Sequence, residues 1–182
     1  MKKTIFITGA AKRIGKEIAL CFSEMGWNII IHYNSSKNDA QVLADEINGN
    51  NPDSAITVQG NLDVKEDVEK VINEVRDAFP TIDLLINNAS TFYPTPIEDI
   101  SEEHWDKLVG SNLKGPLFLI KGLKDKLKES KGSIINITDT NLSKGVANYS
   151  IYSAAKAGLE SITKGLASCL LYTSPSPRDI SR

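Results

Sequence analysis

Tyr152 and Lys156 stand four residues apart within Asp139–Lys156, DTNLSKGVANYSIYSAAK. On a helix that spacing puts both side chains on one face, and Leu159, Ile162 and Leu166 carry the helical period onward. An ammonium beside a phenol favours the phenolate. The pair is therefore expected to lower the Tyr152 pKa toward the range useful to an acid–base catalyst. Asp139 closes an apolar run (Ile134, Ile135, Ile137), so a strand end and a helix start can bring it to Tyr152 across a loop. Alone, Y-x-x-x-K is weak, because a solvated lysine and a half-buried helical tyrosine give the same string. Its weight depends on the elements that position it.

The chain opens with a short β-branched run at 3–8, KTIFIT, expected to be a buried strand. GAAKRIGKEIALCFSEMG follows, in which Ile14, Ile18, Cys21, Phe22 and Met25 recur at helical spacing and Gly26 stops the helix. A strand, a glycine turn and a helix start make an anion site, since free backbone N–H groups and the helix dipole point at the turn. The spacing is Gly9, Arg13, Gly15 rather than G-x-G-x-x-G, so Arg13 brings a positive charge where a glycine would admit phosphate closely. A second strand, 27–33, runs into Asn34, Ser35 and Ser36 without an acid. An acid there would hold a ribose 2′-hydroxyl and repel a phosphorylated ribose. Hydroxyls with Lys12, Arg13 and Lys37 close in sequence favour NADPH over NADH.

Helix 37–48, strand 55–59, helix 64–79 and strand 83–87 come next. The segment 91–96, TFYPTP, is an irregular loop because Pro94 and Pro96 oppose both helix and strand. A long helix capped by Ser101 carries Trp105, Leu108, Val109, Leu113, Leu117 and Ile120 inward. Asn112 falls inside that pattern, where its amide needs partners. The fifth strand is 133–138. Strands alternating with helices at this spacing predict an α/β fold, a Rossmann-type doubly wound parallel sheet in one domain.

The 182 residues carry net charge −2 without a basic block, which gives no pointer to nucleic acid. No apolar run reaches membrane-spanning length, and no signal peptide precedes the first strand, so a cytoplasmic protein is expected. Two cysteines, Cys21 and Cys169, and two histidines, His32 and His104, supply no disulfide framework and no metal spacing.

The order TGxxxRxG, NNAS, SN within a helix, Asp and YxxxK resembles the short-chain dehydrogenase/reductase family. TGAAKRIG, HYNSS, NNASTFYPTP and Asp139 in place of the usual Ser resemble, more closely, the pteridine and dihydromonapterin reductases. The resemblance implies Tyr152 as general acid, with Lys156 holding the nicotinamide ribose and lowering the Tyr152 pKa. Asn112 would anchor a water relaying protons to Lys156. Gly9, Arg13 and Ile14 would line the pyrophosphate, and Ser36 would help hold the 2′-phosphate. Tyr33, Asn34, Ser35, Asn61 and Leu62 complete the implied cofactor set, with Asn88, Ala89 and Ser90 along the ribose. Ser90, Phe92, Asp139 and Tyr152 would meet the substrate, Phe92 stacking a flat pterin. Asn61 stands where the family has an Asp for the adenine amino group, and Ser35 where pteridine reductases often carry Arg. A homodimer or homotetramer, assembled through the Asn112 and Tyr152 helices, is also implied.

Asp139 can be read from chemistry as well. A ketone reduction develops negative charge on oxygen, which a carboxylate repels. Reducing C=N needs a proton on nitrogen, which an Asp–Tyr pair can pass on. The reading is an NADPH-dependent reductase of a dihydropteridine C=N bond. The rivals are a carbonyl reductase of the same family, for example of 3-oxoacyl thioesters, and a non-catalytic nucleotide-binding relative. After Ala167 the pattern changes: Cys169–Asp179, CLLYTSPSPRD, resembles an in-frame translation of a transposase sequencing adapter. The expectation is a reductase domain over 1–168, lacking the family's last strands, followed by a non-native disordered tail at 169–182. A chain so truncated, with an unpaired sheet edge, is expected to be inactive.

Overall fold

A computed structural model describes residues 2–142 and 144–170; the expected tail beyond Leu170 lies outside the described residues. Three runs are buried along their whole length: β1 (Thr4–Ile7), β2 (Asn28–Tyr33) and β4 (Leu84–Asn87). A strand buried on both faces has no polar alternation and belongs inside a parallel sheet. With β3 (Ala55–Gln59) and β5 (Ser133–Asn136) they form five parallel strands in the order β3-β2-β1-β4-β5. This is the expected doubly wound α/β architecture.

Successive side chains feed opposite faces. Ile5, Ile7, Ile29 and Ile31 pack with Ala19 of helix α1 (Arg13–Glu24) and with Leu43 and Ile47 of α2 (Lys37–Asn50). Phe6, Ile30 and Leu85 point the other way. They meet Val68, Val71 and Val75 of α3 (Lys65–Ala78) and Leu119, Leu123 and Leu127 of α5 (Gly115–Ser130). The chain runs outward from β1 to β3 and then crosses back to β4. The strand order therefore reverses between β1 and β4, the place where open α/β sheets bind ligands at the strands' carboxyl ends.

Two expectations change. In α1 the buried stripe is Gly15, Ala19 and Ser23, whereas Ile14 and Met25 are 64% and 63% exposed and Cys21 is exposed too. Small residues let this helix lie close on the sheet, leaving only Ile18 and Phe22 of the apolar set packed against the core. The long helix runs unbroken but is not α-helical throughout. Between α4 (Glu102–Val109) and α5 lies a π-helical turn, Gly110–Lys114, that contains Asn112. Trp105, expected inward, is 51% exposed. Periodicity alone does not register a wider turn, and such turns gather at functional sites.

One buried residue of β2 ties the scaffold to its loops. His32 Nδ1 accepts the Gly9 N–H at 3.1 Å, and its Nε2 lies 3.0 Å from the Gly60 carbonyl oxygen. Because Nδ1 must accept, the proton sits on Nε2 and the ring is neutral. Burial pushes its pKa down to about 4 from 6.5. The unfolded chain then binds a proton between those values that the fold refuses. Stability is therefore full above pH 6.5 and falls as pH drops toward 4, by about 3 kcal/mol from this group. Urea titrations of wild type and His32→Gln at several pH values check this. The variant starts weaker at pH 7.5 and loses less on acidification; an unchanged acid slope rules out the assignment.

Candidate active site

The turns after β1 and β4 are locked together. Thr8 Oγ1 accepts the Asn88 and Ala89 N–H groups, both at 2.9 Å, and Asn88 Nδ2 donates to the carbonyls of Thr8 (2.9 Å) and Gly9 (3.2 Å). Gly9 has φ +62°. A Cβ on Gly15 would come within 2.4 Å of the Gly9 carbonyl oxygen, so this helix position admits no side chain. Arg13 takes φ +52°, a left-handed conformation in which a non-glycine residue is strained. The residue that replaces a glycine in the sequence thus still adopts the glycine's backbone shape. No side chain caps α1, and its first turn has no acid. Its first amides and its positive dipole end are left free for an anion.

A cleft of about 460 Å³ opens over this turn. Of the residues assigned to the cofactor, Gly9, Arg13, Ile14, Asn34, Asn61, Leu62, Asn88, Ala89 and Ser90 line it. Tyr33, Ser35, Ser36, Tyr152 and Lys156 do not; Tyr33 is buried in the core. Asn61 spends its side-chain carbonyl on the Asp63 N–H at 3.2 Å. Lys12, Asp63 and Ser111 also line the cleft and were not singled out as site residues. Asp63 is half-buried: burial pushes its carboxyl up, and its Oδ1 is buried without a partner among the described residues. Asp63 directly follows Asn61 and Leu62, and that adjacency is the signal that could have found it.

Helix α6 (Ser150–Leu170) presents Tyr152 and Lys156 on one face, as their spacing predicts. The Tyr152 hydroxyl donates to Asp139 Oδ2 at 3.0 Å, joining strand end and helix start across the loop. The Asp139 carboxyl is held low, chiefly by the Asn141 N–H at 2.8 Å, so it is a carboxylate at neutral pH. The expected lowering of the Tyr152 pKa is not found. Burial first, and then the Asp139 carboxylate, push the phenol up to about 12, against a smaller pull from the Ser90 hydroxyl. Lys156 cannot reverse this. Its ammonium lies 6.0 Å from the Tyr152 ring centre, donates to the Ile137 carbonyl at 2.9 Å, and is brought down to about 8 by burial.

Asn112 is fully buried in the π turn. Its Nδ2 donates to the carbonyls of Thr91 (2.8 Å) and Leu108 (2.9 Å), and its Oδ1 accepts the Ser90 hydroxyl at 2.7 Å. Asn112 is thus tied to Ser90 and the loop after β4, while Lys156 is tied to the strand end after β5. Phe92 is 58% exposed; it stacks on Tyr149 at 4.5 Å and meets the Tyr152 ring edge-to-face at 4.8 Å. Tyr149 escaped the sequence reading because its role depends on a loop contact, the Thr95 N–H donating to the Asn148 carbonyl at 2.6 Å. The arrangement supplies an anion cradle, a phenol hydroxyl held by a carboxylate, a buried amine and an aromatic wall. Among the described residues no acid–histidine–cysteine cluster suits a metal ion, and no helix is long and apolar enough to cross a membrane.

A family profile described as short chain dehydrogenase matches residues 3–174. The 3-oxoacyl acyl-carrier-protein reductase FabG of Staphylococcus epidermidis is 33% identical over 92% of this chain and 68% of its own length. Pteridine reductase 1 of Leishmania tarentolae is 32% identical over 88% of this chain and 69% of its own. An NAD-dependent glycerol dehydrogenase of Listeria innocua is 32% identical over 91% and 63%. These relatives carry the names of enzymes with different substrates, and a nicotinamide cofactor suits the uncapped turn of α1. The profile match extends that likeness across nearly the whole chain, which therefore belongs to the short-chain dehydrogenase family of oxidoreductases.

Proposed function

We propose that this protein is an NADPH-dependent reductase of a C=N bond in a flat, dihydropteridine-like heterocycle. The observation that carries the reading is the Tyr152 hydroxyl bound to the Asp139 carboxylate at 3.0 Å. A ketone gains negative charge on oxygen as it is reduced, and an adjacent carboxylate raises that barrier. An imine nitrogen becomes basic and draws a proton, and a carboxylate stabilises the positive charge as it passes.

Bound nicotinamide supplies the hydride that reaches the substrate carbon. Tyr152, protonated at neutral pH, turns its O–H from Asp139 to the nitrogen as that atom becomes basic, and gives up its proton there. Lys156, as the ammonium, holds the ribose hydroxyls and returns a proton toward the phenolate. Gly9, Arg13 and Ile14 would receive the pyrophosphate, Asn34 would face the phosphorylated ribose with Ser36 just outside the cleft, and Asn88, Ala89 and Ser90 would follow the second ribose. Asn112 holds Ser90 at that position. Phe92, backed by Tyr149, supports one face of the heterocycle. The second reading, a 3-oxoacyl thioester reductase, is favoured by the 33% identity to the staphylococcal enzymes. The domain reading is a proposal too: a reductase domain over 1–168 with a non-native tail. An independent read of the source DNA past codon 168 checks it. Codons matching the tail in genomic DNA would refute it.

NADPH consumption by the complete gene product, with a dihydropterin and with acetoacetyl thioester, separates the two readings. Dihydropterin turnover is expected to dominate and to fall about 10²- to 10⁴-fold in Tyr152→Phe. Asp139→Ser is expected to lower pterin turnover and raise thioester turnover. Thioester preference in the wild type refutes the C=N assignment. With Lys156 titrating at about 8, kcat/KM for pterin should decline on the alkaline side from that pH. A flat profile to pH 10 excludes Lys156 as the proton source.

A further inference from the structure

Helices α1 and α2 face each other beside the cleft, and two lysine–carboxylate pairs join them. Lys12 Nζ lies 3.0 Å from Asp39 Oδ2, and Lys16 Nζ lies 3.7 Å from Glu46 Oε2. Only the first pair reaches the ligand space: Lys12 lines the cleft together with Arg13 and Asn34, whereas Lys16 and Glu46 do not. Lys12 is therefore a ligand-facing cation that a carboxylate has already engaged. Asp39 sits in the first turn of α2, where the helix dipole favours a negative charge. Ser36, the cap position of α2, makes no side-chain cap bond. The end of β2 thus offers a hydroxyl, an amide and a cation, with one carboxylate set against them.

In a sheet of this order the ribose 2′-substituent of a dinucleotide lies at the end of the second strand, here between Asn34 and Lys12. We propose that Asp39 sets the cofactor discrimination of this chain by competing with the ribose 2′-phosphate for the Lys12 ammonium. The inference rests on the NADPH reading above. When the phosphate arrives, Lys12 must turn from Asp39 or be shared, and the carboxylate is left beside a dianion. An unphosphorylated ribose brings no anion to that point, so Asp39 does not affect it. Asp39 is thus a brake on NADPH alone. Both side chains are about half exposed, 56% for Lys12 and 46% for Asp39, so water screens the effect and keeps it modest.

Fluorescence titration of the protein with NADPH and with NADH, at low and high salt, reads this without turnover. Asp39→Asn is expected to tighten NADPH about 3- to 10-fold, leave NADH unchanged, and lose its advantage at high salt. Glu46→Gln removes the equivalent carboxylate one step from the cleft and should change neither cofactor. Lys12→Ala should weaken NADPH alone. If Lys12→Ala weakens NADPH while Asp39→Asn leaves it unchanged, weakens it or tightens both cofactors equally, the brake is overturned and NADPH preference stands. If wild type prefers NADH and Lys12→Ala changes nothing, both the preference and the brake fall.

Discussion

The Thr8 hydroxyl, shared between the Asn88 and Ala89 amides, is the contact on which the rest of the site depends. It fixes the two turns flanking the point of sheet reversal at hydrogen-bond distance. Asn88 returns two bonds to the carbonyls of Thr8 and Gly9. Gly15 then lets α1 settle so closely that even a methyl group would meet backbone. With so little slack, the free amides of α1 point into one cleft with a set geometry. That is the preorganisation an anion site needs. His32 closes the same turn from below through the Gly9 N–H and reaches across to β3 through Gly60. The cradle thus hangs from three strands rather than from one flexible loop.

Around Tyr152 burial and electrostatics act together. Spacing alone suggested an ammonium that acidifies a phenol. The structure buries the phenol, which acts most strongly, and sets a carboxylate at 3.0 Å beside it, while the nearest partner of the ammonium is a carbonyl. A phenol held this way keeps its proton until a stronger base is presented. A nitrogen gaining electron density is such a base, whereas a carbonyl oxygen that becomes an alkoxide beside Asp139 incurs repulsion. The departure at Asp139 is therefore a change in the charge of the site.

Much of this was legible in the chain. The all-apolar runs of β1, β2 and β4 announce a sheet covered on both faces, and the Gly9–Gly15 turn announces an anion site. The Tyr152–Lys156 spacing survives because helix geometry alone fixes it. What escaped has physical reasons. The burial of α1 follows its smallest residues, since close packing outweighs side-chain size, and a pattern of large apolar residues points elsewhere. The π turn around Asn112 has no propensity signature. Tyr149 belongs to the site only through contacts made across the fold, whereas Lys12 and Asp63 adjoin Arg13 and Leu62 in the chain. The pKa direction of Tyr152 was misjudged because sequence spacing places the lysine on the right face without saying which way its ammonium turns.

Burial falls off across the sheet, and the chemistry lies at the less buried end. β1, β2 and β4 are covered throughout, whereas β5 alternates exposed and half-buried residues, with Ile135 45% exposed. Yet the carbonyl that holds Lys156 belongs to Ile137, just past β5, and Asp139 follows two residues on. Apolar packing alone does not hold this flank. Asn87 Nδ2 donates to Asn136 Oδ1 at 2.7 Å, Asn136 Nδ2 donates to Thr163 Oγ1 at 2.8 Å, and Thr163 returns its hydroxyl to the Leu159 carbonyl at 2.7 Å. This polar ladder runs from the rigid β4 through β5 to α6, so the helix bearing Tyr152 and Lys156 takes its register from the sheet centre. Hydrogen bonds fix direction and register more sharply than hydrophobic contact does. The tyrosine–aspartate geometry at the lightly covered side therefore depends on three polar side chains as much as on the apolar core beneath them.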